Sequence, residues 1–393
     1  MPDRAIADVV IQGGGLVGLA TATGLARRGL SVTVLDRKPG PHWQAGAYRP
    51  QVTSLNRASE EWLDELGAWE KLRDWRATPV QRIEAVDRHG GPRVAFDAAD
   101  IGASHLSHIV ESELLVAGAA AAAERCGVRR WHPASVTDWH GHADRLDLVL
   151  DDGAQLPARL LVAADGGDSP VRGLAGIPVS VGDYDQAAVV GVVKGRRGHD
   201  GVARQRFMLG GPLAYLPLGE RHAAVVWSRP QPEADRLLAL PDDVFRAELE
   251  AAAGGWLGGI ESLGERGCFP LRWLRAARYS AARVALVGDA AHVIHPLAGQ
   301  GANLGIADAR ALTEIVGDAA DRGRDPADRL ALRRYERVRR EANDRVQRAM
   351  DAFHWGFATD DAVLRALRRG AFTLTQQSDW LRRWFMDQAM NGP

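Results

Sequence analysis

The sequence predicts an α/β protein: a parallel, helix-covered sheet shared between the two ends of the chain, with a β-rich segment inserted between them. Three observations lead there. Residues 8–36 read as strand, helix, strand. A second buried strand, Val284–Val287, followed by Gly288-Asp289 and a helix, lies almost 250 residues later, roughly the length of a whole ordinary domain. Between them, from Asp185 to Ser228, short strands alternate with Gly and Pro turns.

Each element has its own warrant. Asp8–Gln12 carries the apolar run Val9-Val10-Ile11 and reads as a short buried strand. Leu16–Arg28 places Leu19, Ala22, Leu25 and Ala26 on one helical face, and Gly29 stops it. Ser31–Leu35 is a second buried strand, closed by Asp36. Ser59–Leu66 turns helical until Gly67, and Glu111–Arg125 is an Ala-rich helix stopped by Gly127. Val136–His140 and Leu146–Leu150 alternate as hairpin strands, and Leu160–Ala163 is a buried strand ending at Asp165-Gly166. Val189–Val193, Ala203–Leu209 and Ala223–Ser228 are the strands of the inserted segment. A helix is expected from about Gly301 to Val316, and the chain from about Asp325 onward reads as helical.

Composition narrows the function. With 393 residues, 46% hydrophobic and 25% charged, the chain suits a globular protein of two domains or one large α/β unit. Its 49 basic and 50 acidic residues leave a formal charge of -1, which argues against a nucleic-acid binder. The basic residues are nearly all Arg, scattered along the chain; Lys occurs only at 38, 71 and 194. Two cysteines, Cys126 and Cys268, cannot form a disulfide framework and lack zinc spacing. No apolar run spans a bilayer and the N-terminus lacks signal-peptide character, so a cytoplasmic protein is expected.

Three motifs carry the chemistry. Gly13, Gly15 and Gly18 form G-x-G-x-x-G at a strand-to-helix turn, where a dinucleotide pyrophosphate approaches backbone N–H groups closely. Asp36, at the end of the next strand, is placed to accept from ribose hydroxyls, which a mere Gly-rich turn leaves unexplained. The second motif is Asp165-Gly166-Gly167-Asp168-Ser169-Pro170-Val171-Arg172. The third is Gly288-Asp289-Ala290-Ala291-His292, continued by Pro296 and Gly299-Gln300-Gly301-Ala302-Asn303.

Together these motifs resemble the single-component, FAD-dependent aromatic hydroxylases, and more narrowly the ubiquinone-biosynthesis hydroxylase family. The likeness extends from Asp8 to Ala389-Met390-Asn391-Gly392 and includes Ser54–Trp69, Phe207–Leu218 with its G-P-L-A-Y-L-P-L core, and Val284–Gly305. One departure is Gly167-Asp168, where the family more often has Ala-Asn. The resemblance implies a Rossmann-like FAD-binding domain of the glutathione-reductase type, with an inserted β-rich substrate domain and a helical C-terminus. It divides the chain into an FAD-binding domain (1–80, 106–180 and 270–345), a substrate domain (81–105 and 181–269) and a C-terminal helical region (346–393).

By the same resemblance Gly13, Gly15 and Gly18 hold the FAD pyrophosphate, Asp36 the adenosine ribose, and Arg49 lies near the flavin and pyrophosphate. Asp165 and Gly166 hold the flavin loop, and Asp289 bonds the ribitol or pyrophosphate. Pro296, Gly299, Gln300, Gly301, Ala302 and Asn303 pass along the flavin, and Arg37 and Val136 join the cofactor contacts. A helix starting near Gly301 would aim free N–H groups at the negative charge of reduced flavin. The implied activity is hydroxylation of a prenylated phenol through a flavin hydroperoxide, with NAD(P)H as reductant and O2 as co-substrate. A hydroxylase of a soluble phenol and a non-catalytic FAD-binding subunit of a biosynthetic assembly stand as alternatives.

Other features carry less. His292/His295 and His105/His108 each form H-x-x-H, but a metal would need further donors, so no metal site is expected. His295 either faces the substrate side of the flavin, as the one candidate catalytic side chain, or satisfies local backbone. Trp380, Leu381, Trp384 and Phe385 share one face of a C-terminal helix. Two readings stand: packing on the protein's own surface, or contact with the inner membrane surface or a biosynthetic partner. Phe353, Trp355 and Phe357 belong to the same patch or line a substrate tunnel.

Overall fold

The computed structural model describes residues 6–40, 43–87, 93–294, 300–358 and 390. The chain opens with β1 (Ala7–Gln12), α1 (Leu16–Arg27) and β2 (Val32–Leu35). Next come β3 (Val52–Asn56), α2 (Arg57–Glu65) and α3 (Glu70–Trp75). Asn56 caps α2 by accepting from Ser59 N–H at 2.9 Å. β4 (Thr78–Val80), β5 (Arg82–Asp87), β6 (Arg93–Asp97) and β7 (Ser107–Glu111) lead to α4 (Ser112–Arg125). β8 (Arg129–Trp131), the hairpin β9 (Val136–Gly141) and β10 (Leu146–Leu150), β11 (Gln155–Ala163) and α5 (Pro170–Leu174) complete the first part.

The middle of the chain contains β12 (Val179–Gly195), β13 (Val202–Phe207), β14 (Leu213–Leu218) and β15 (His222–Pro230). α6 (Gln231–Ala239), α7 (Asp242–Ala253) and β16 (Ile260–Ala276) follow. The chain then passes through β17 (Ser280–Ala281), β18 (Val284–Leu286), a 3-10 turn at Gly288–Ala290 and β19 (His292–Val293). α8 (Gln300–Asp321) and α9 (Arg329–Ala358) are the last long elements among the described residues.

Among the described residues the strands form three sheets. The first runs β17-β18-β11-β1-β2-β8, parallel from β18 to β8, with β10 and β9 added antiparallel beside β11. Its central strands are buried on both faces, which is why they read as unbroken apolar runs. Each Val, Leu or Ile fully buried there stabilises the fold by about 1.5–3 kcal/mol relative to exposure. The N- and C-terminal parts of the chain meet where Leu161–Ala163 pairs with Val284–Leu286.

The second sheet runs β19-β16-β12-β15-β14-β13-β5-β6, antiparallel except for β13 beside β5. Its alternation is clean in β14. Leu213 and Tyr215 join the core under α6 and α7, while Leu216 and Leu218 face the other way, against Val80 and Ile109 of the small third sheet, β3-β7-β4. α6 and α7 are absent from the sequence reading, although a signal was present. Pro230 and Pro241 each precede a helix whose first turn carries Glu233, or Asp242 and Asp243.

Candidate functional site

The β1–α1 turn separates the three glycines by physical role. Gly13 has φ +114, and a Cβ there would lie 2.2 Å from the Ala164 carbonyl oxygen. At Gly18 a Cβ would lie 2.0 Å from the Gly13 carbonyl oxygen. These two are required by the approach of α1 and β11 to the turn itself. Gly15 is different: a Cβ there meets nothing within 4 Å, and as N-cap of α1 it offers no side chain to the helix N–H groups. The positive end of α1 therefore opens onto free space, the arrangement that binds phosphate. Asp36 accepts from Gly14 N–H at 2.7 Å and Lys38 N–H at 2.9 Å, which fixes its carboxylate beside the turn. Arg37 follows on the exposed side.

Gln12, at the end of β1, accepts from Val136 N–H at 2.8 Å and so ties Val136 to the same edge. Arg49 donates its backbone N–H to Glu111 Oε1 at 2.8 Å, while its guanidinium reaches Glu265 of β16 at 3.3 Å. Glu111 is 1% exposed and also takes Arg76 Nε at 2.5 Å. Arg76 in turn lies over the Tyr48 ring at 4.1 Å. Glu111 thus anchors the segment around Arg49 from the end of β7, one residue before the helix that the sequence suggests it begins.

The second and third motifs are locked together. Arg172 donates to the Ala290 carbonyl at 3.0 Å, and Ser169 caps α5 by accepting from Arg172 N–H at 3.0 Å. Asp165 accepts from Val171 N–H at 3.3 Å, but its Oδ1 is buried without a partner. Burial pushes the Asp165 carboxyl above its ordinary range. Gly166, with φ +89, again faces free space. Asp289 presents an exposed surface although protein surrounds it, so it lines an open recess, and desolvation raises its carboxyl too.

Behind that recess lies a buried charged cluster. Asp308 of α8 is 0% exposed and accepts from four donors. They are Gly288 N–H at 3.1 Å, His292 Nε2 at 2.6 Å, Arg339 Nε at 2.7 Å and Asn343 Nδ2 at 3.0 Å. Burial alone would raise the Asp308 carboxyl; His292 and Arg339 outweigh it and hold it down at about 2. Tyr335, on the same side of α9, donates to the Leu286 carbonyl at 2.7 Å, and Gln347 to Val293 at 3.2 Å. α9 thereby holds the Gly288-Asp289 loop from behind.

Gln300, Gly301 and Ala302 form the start of α8, and a Cβ at Gly301 would meet open space. Asn303 also has a bracing role. Its Oδ1 accepts from Asn56 N–H at 3.0 Å and its Nδ2 donates to the Ser54 carbonyl at 2.8 Å, so it pins the first turn of α8 to β3. Asn303→Ala would leave a buried N–H and a carbonyl without these partners. The expected cost is about 1–3 kcal/mol, read as a lowered midpoint in denaturant unfolding. His295, Pro296 and Gly299 lie outside the described residues, as do Trp380, Leu381, Trp384 and Phe385 and the side chains of Phe353, Trp355 and Phe357.

These features fit a dinucleotide flavin. An uncapped helix end with an open glycine suits a pyrophosphate, the unpartnered Asp165 oxygen and the recessed Asp289 suit hydroxyl donors, and an open glycine at a second helix start suits a flat ring.

Comparisons with known proteins agree. Residues 6–350 match the FAD binding domain family. The chain is 36% identical to the ubiquinone hydroxylase UbiL of Rhodospirillum rubrum, over 98% of this chain and 90% of that one. It is 33% identical to the 3-demethoxyubiquinol 3-hydroxylase of Escherichia coli, over 98% of each. Among solved structures, p-nitrophenol 4-monooxygenase from Pseudomonas putida superposes with a TM-score of 0.79 over 98% of each chain at 20% identity, a likeness of fold.

Proposed function

The chain belongs to the ubiquinone-biosynthesis FAD-dependent hydroxylase family within the FAD binding domain proteins, and from that premise we propose that it hydroxylates the aromatic ring of a prenylated phenol on the route to ubiquinone. The observation that carries this reading is near full-length similarity to two ubiquinone-pathway hydroxylases, joined to a cradle whose open positions suit FAD. NAD(P)H and O2 are its co-substrates.

Bound FAD supplies the electron transfer and oxygen activation that amino-acid side chains cannot. The chain supplies binding, orientation and exclusion of water. The free N–H groups of α1 take the pyrophosphate, helped by the helix dipole, which contributes about 0.3–1 kcal/mol and up to about 2 in a partly buried setting. Asp36 holds the ribose edge. Asp289 and Asp165, both with raised carboxyls, take hydroxyl donors of the linking chain. The start of α8 would offer its positive end to the negative charge of the reduced ring. Sheet strand β14, with Leu216 and Leu218 on the face toward the third sheet, belongs to the apolar substrate side. We assign no side chain as acid or base.

Among the described residues no helix is long and apolar enough to cross a membrane. We place the protein in the cytoplasm, with the aromatic segment at 380–385 as its contact to membrane or assembly.

The test is a deletion strain examined by quinone mass spectrometry, together with assays of FAD-loaded protein. Accumulation of a prenylated precursor lacking one ring hydroxyl, restored by the gene, is the expected result. A strong preference for a short-tailed soluble phenol would overturn the substrate, and bound flavin that never turns over would overturn the enzyme.

A further inference from the structure

His105 and His108 lack a third donor in the local sequence; folding supplies one from 45 residues upstream of His105. Glu60 sits in the first turn of α2 and is 6% exposed. Its two oxygens divide between the rings, Oε1 at 2.8 Å from His108 Nδ1 and Oε2 at 2.8 Å from His105 Nε2. Burial raises this carboxyl, but the two imidazoles outweigh burial and hold it below its ordinary range.

A buried carboxylate could be satisfied by two imidazole N–H groups alone. Four features here go further. One donor atom from each of the three residues lies within 4.8 Å of the others. The outer nitrogen of His105, Nδ1, lies 2.8 Å from Ser104 Oγ, the kind of second hydrogen bond that orients a metal-ligating imidazole. A hydroxyl serves either tautomer, donating in the metal-free form and accepting once Nε2 binds an ion. Finally, the rings are held in place: His105 and His108 meet edge-on at 4.3 Å between centroids, and Trp69 packs on His108 at 5.5 Å. The His105 side chain is 17% exposed, which leaves a path for the ion from solvent.

We propose that Glu60, His105 and His108 form a binding site for a zinc-class divalent transition-metal ion. Two nitrogens and one carboxylate oxygen suit such ions, whereas calcium and magnesium want oxygen alone. Donors about 2.0–2.1 Å from a tetrahedral ion lie roughly 3.3 Å apart, so the two 2.8 Å contacts open slightly while the remaining spacing, within 4.8 Å, adjusts to the same value. Water takes the fourth position from the His105 side. The ion cross-links α2 to the start of β7, where Ser107 pairs with Asn56, the residue whose N–H is held by Asn303 of α8. Its role is a brace behind the cofactor seat rather than a part in the reaction.

The test uses untagged, FAD-loaded protein freed of metal by chelation and titrated with Co2+, then Zn2+. One equivalent of Co2+ with visible d–d absorption, displaced by Zn2+, is expected, with a thermal midpoint that climbs with metal concentration. His105→Ala, at the more accessible edge of the cluster, weakens binding at least about tenfold, and Glu60→Gln does the same. Absence of a bound equivalent overturns the site. So does binding of unchanged affinity in both variants, which places the ion elsewhere and leaves the three side chains as an internal hydrogen-bonded set.

Discussion

Replacing Asp308 by Asn is expected to cost about 3–5 kcal/mol of folding stability, the penalty for breaking a fully buried ion pair. The side chain keeps its shape but loses its charge, and its new NH2 group faces donors where it should accept. Arg339, 5% exposed, would then hold an uncompensated charge in the interior. Arg339→Met tests the same contact from the other side and leaves Asp308 with His292 and neutral donors. Denaturant unfolding of apo and FAD-loaded protein measures the loss. A change under 1 kcal/mol in both variants would contradict the reading of α9 as the support of the Gly288 loop. The sign of the pH effect is fixed as well. Asp308 titrates in the folded state at about 2, below an unfolded value of about 3.9, so its contribution is full well above that unfolded value and fades as pH falls toward the folded one. The gap between wild type and Asp308→Asn should therefore shrink on acidification from about pH 5 to about pH 2.

Gly15→Val is expected to leave the apo fold nearly intact while weakening FAD binding by about a hundredfold or more, equivalent to about 2.7 kcal/mol. Gly15 has φ -75, which any residue adopts, and no protein atom lies within 4 Å of an added Cβ. The space it would fill is the space the pyrophosphate needs. Gly18→Ala is the contrasting variant. Its Cβ would fall 2.0 Å from the Gly13 carbonyl oxygen, so α1 must move off the turn, and stability should fall even without cofactor. Apo melting curves and flavin titration separate the two. FAD affinity unchanged in Gly15→Val would remove the pyrophosphate from this helix end.

The βαβ unit that opens the proposed cofactor seat was legible because its signals are local. A strand, a glycine spacing, a helix and an acid at the next strand end are contiguous text. Their meaning still needed refinement. The spacing treated Gly13, Gly15 and Gly18 alike, whereas the structure shows two of them serving backbone packing and one facing open space. Asn303 reads as part of the flavin run, and the structure adds a second task, pinning α8 to β3 through its amide. Asp308, Arg339 and Asn343 carried no signal, because on a helix such residues normally face water. Glu60 was invisible as a partner of His105 and His108 for a related reason: nothing near it in sequence calls for an imidazole.

The sequence by itself determined the class of fold, the opening βαβ unit, the three motifs and, through them, the family and its cofactor. Each is written in short-range spacing, where side-chain size and backbone freedom act on adjacent residues. Only the tertiary structure decided which polar groups are buried and with whom. Burial depends on what two distant elements cover when they pack, and the charge of Asp308 became stabilising only once α9 enclosed it with Arg339.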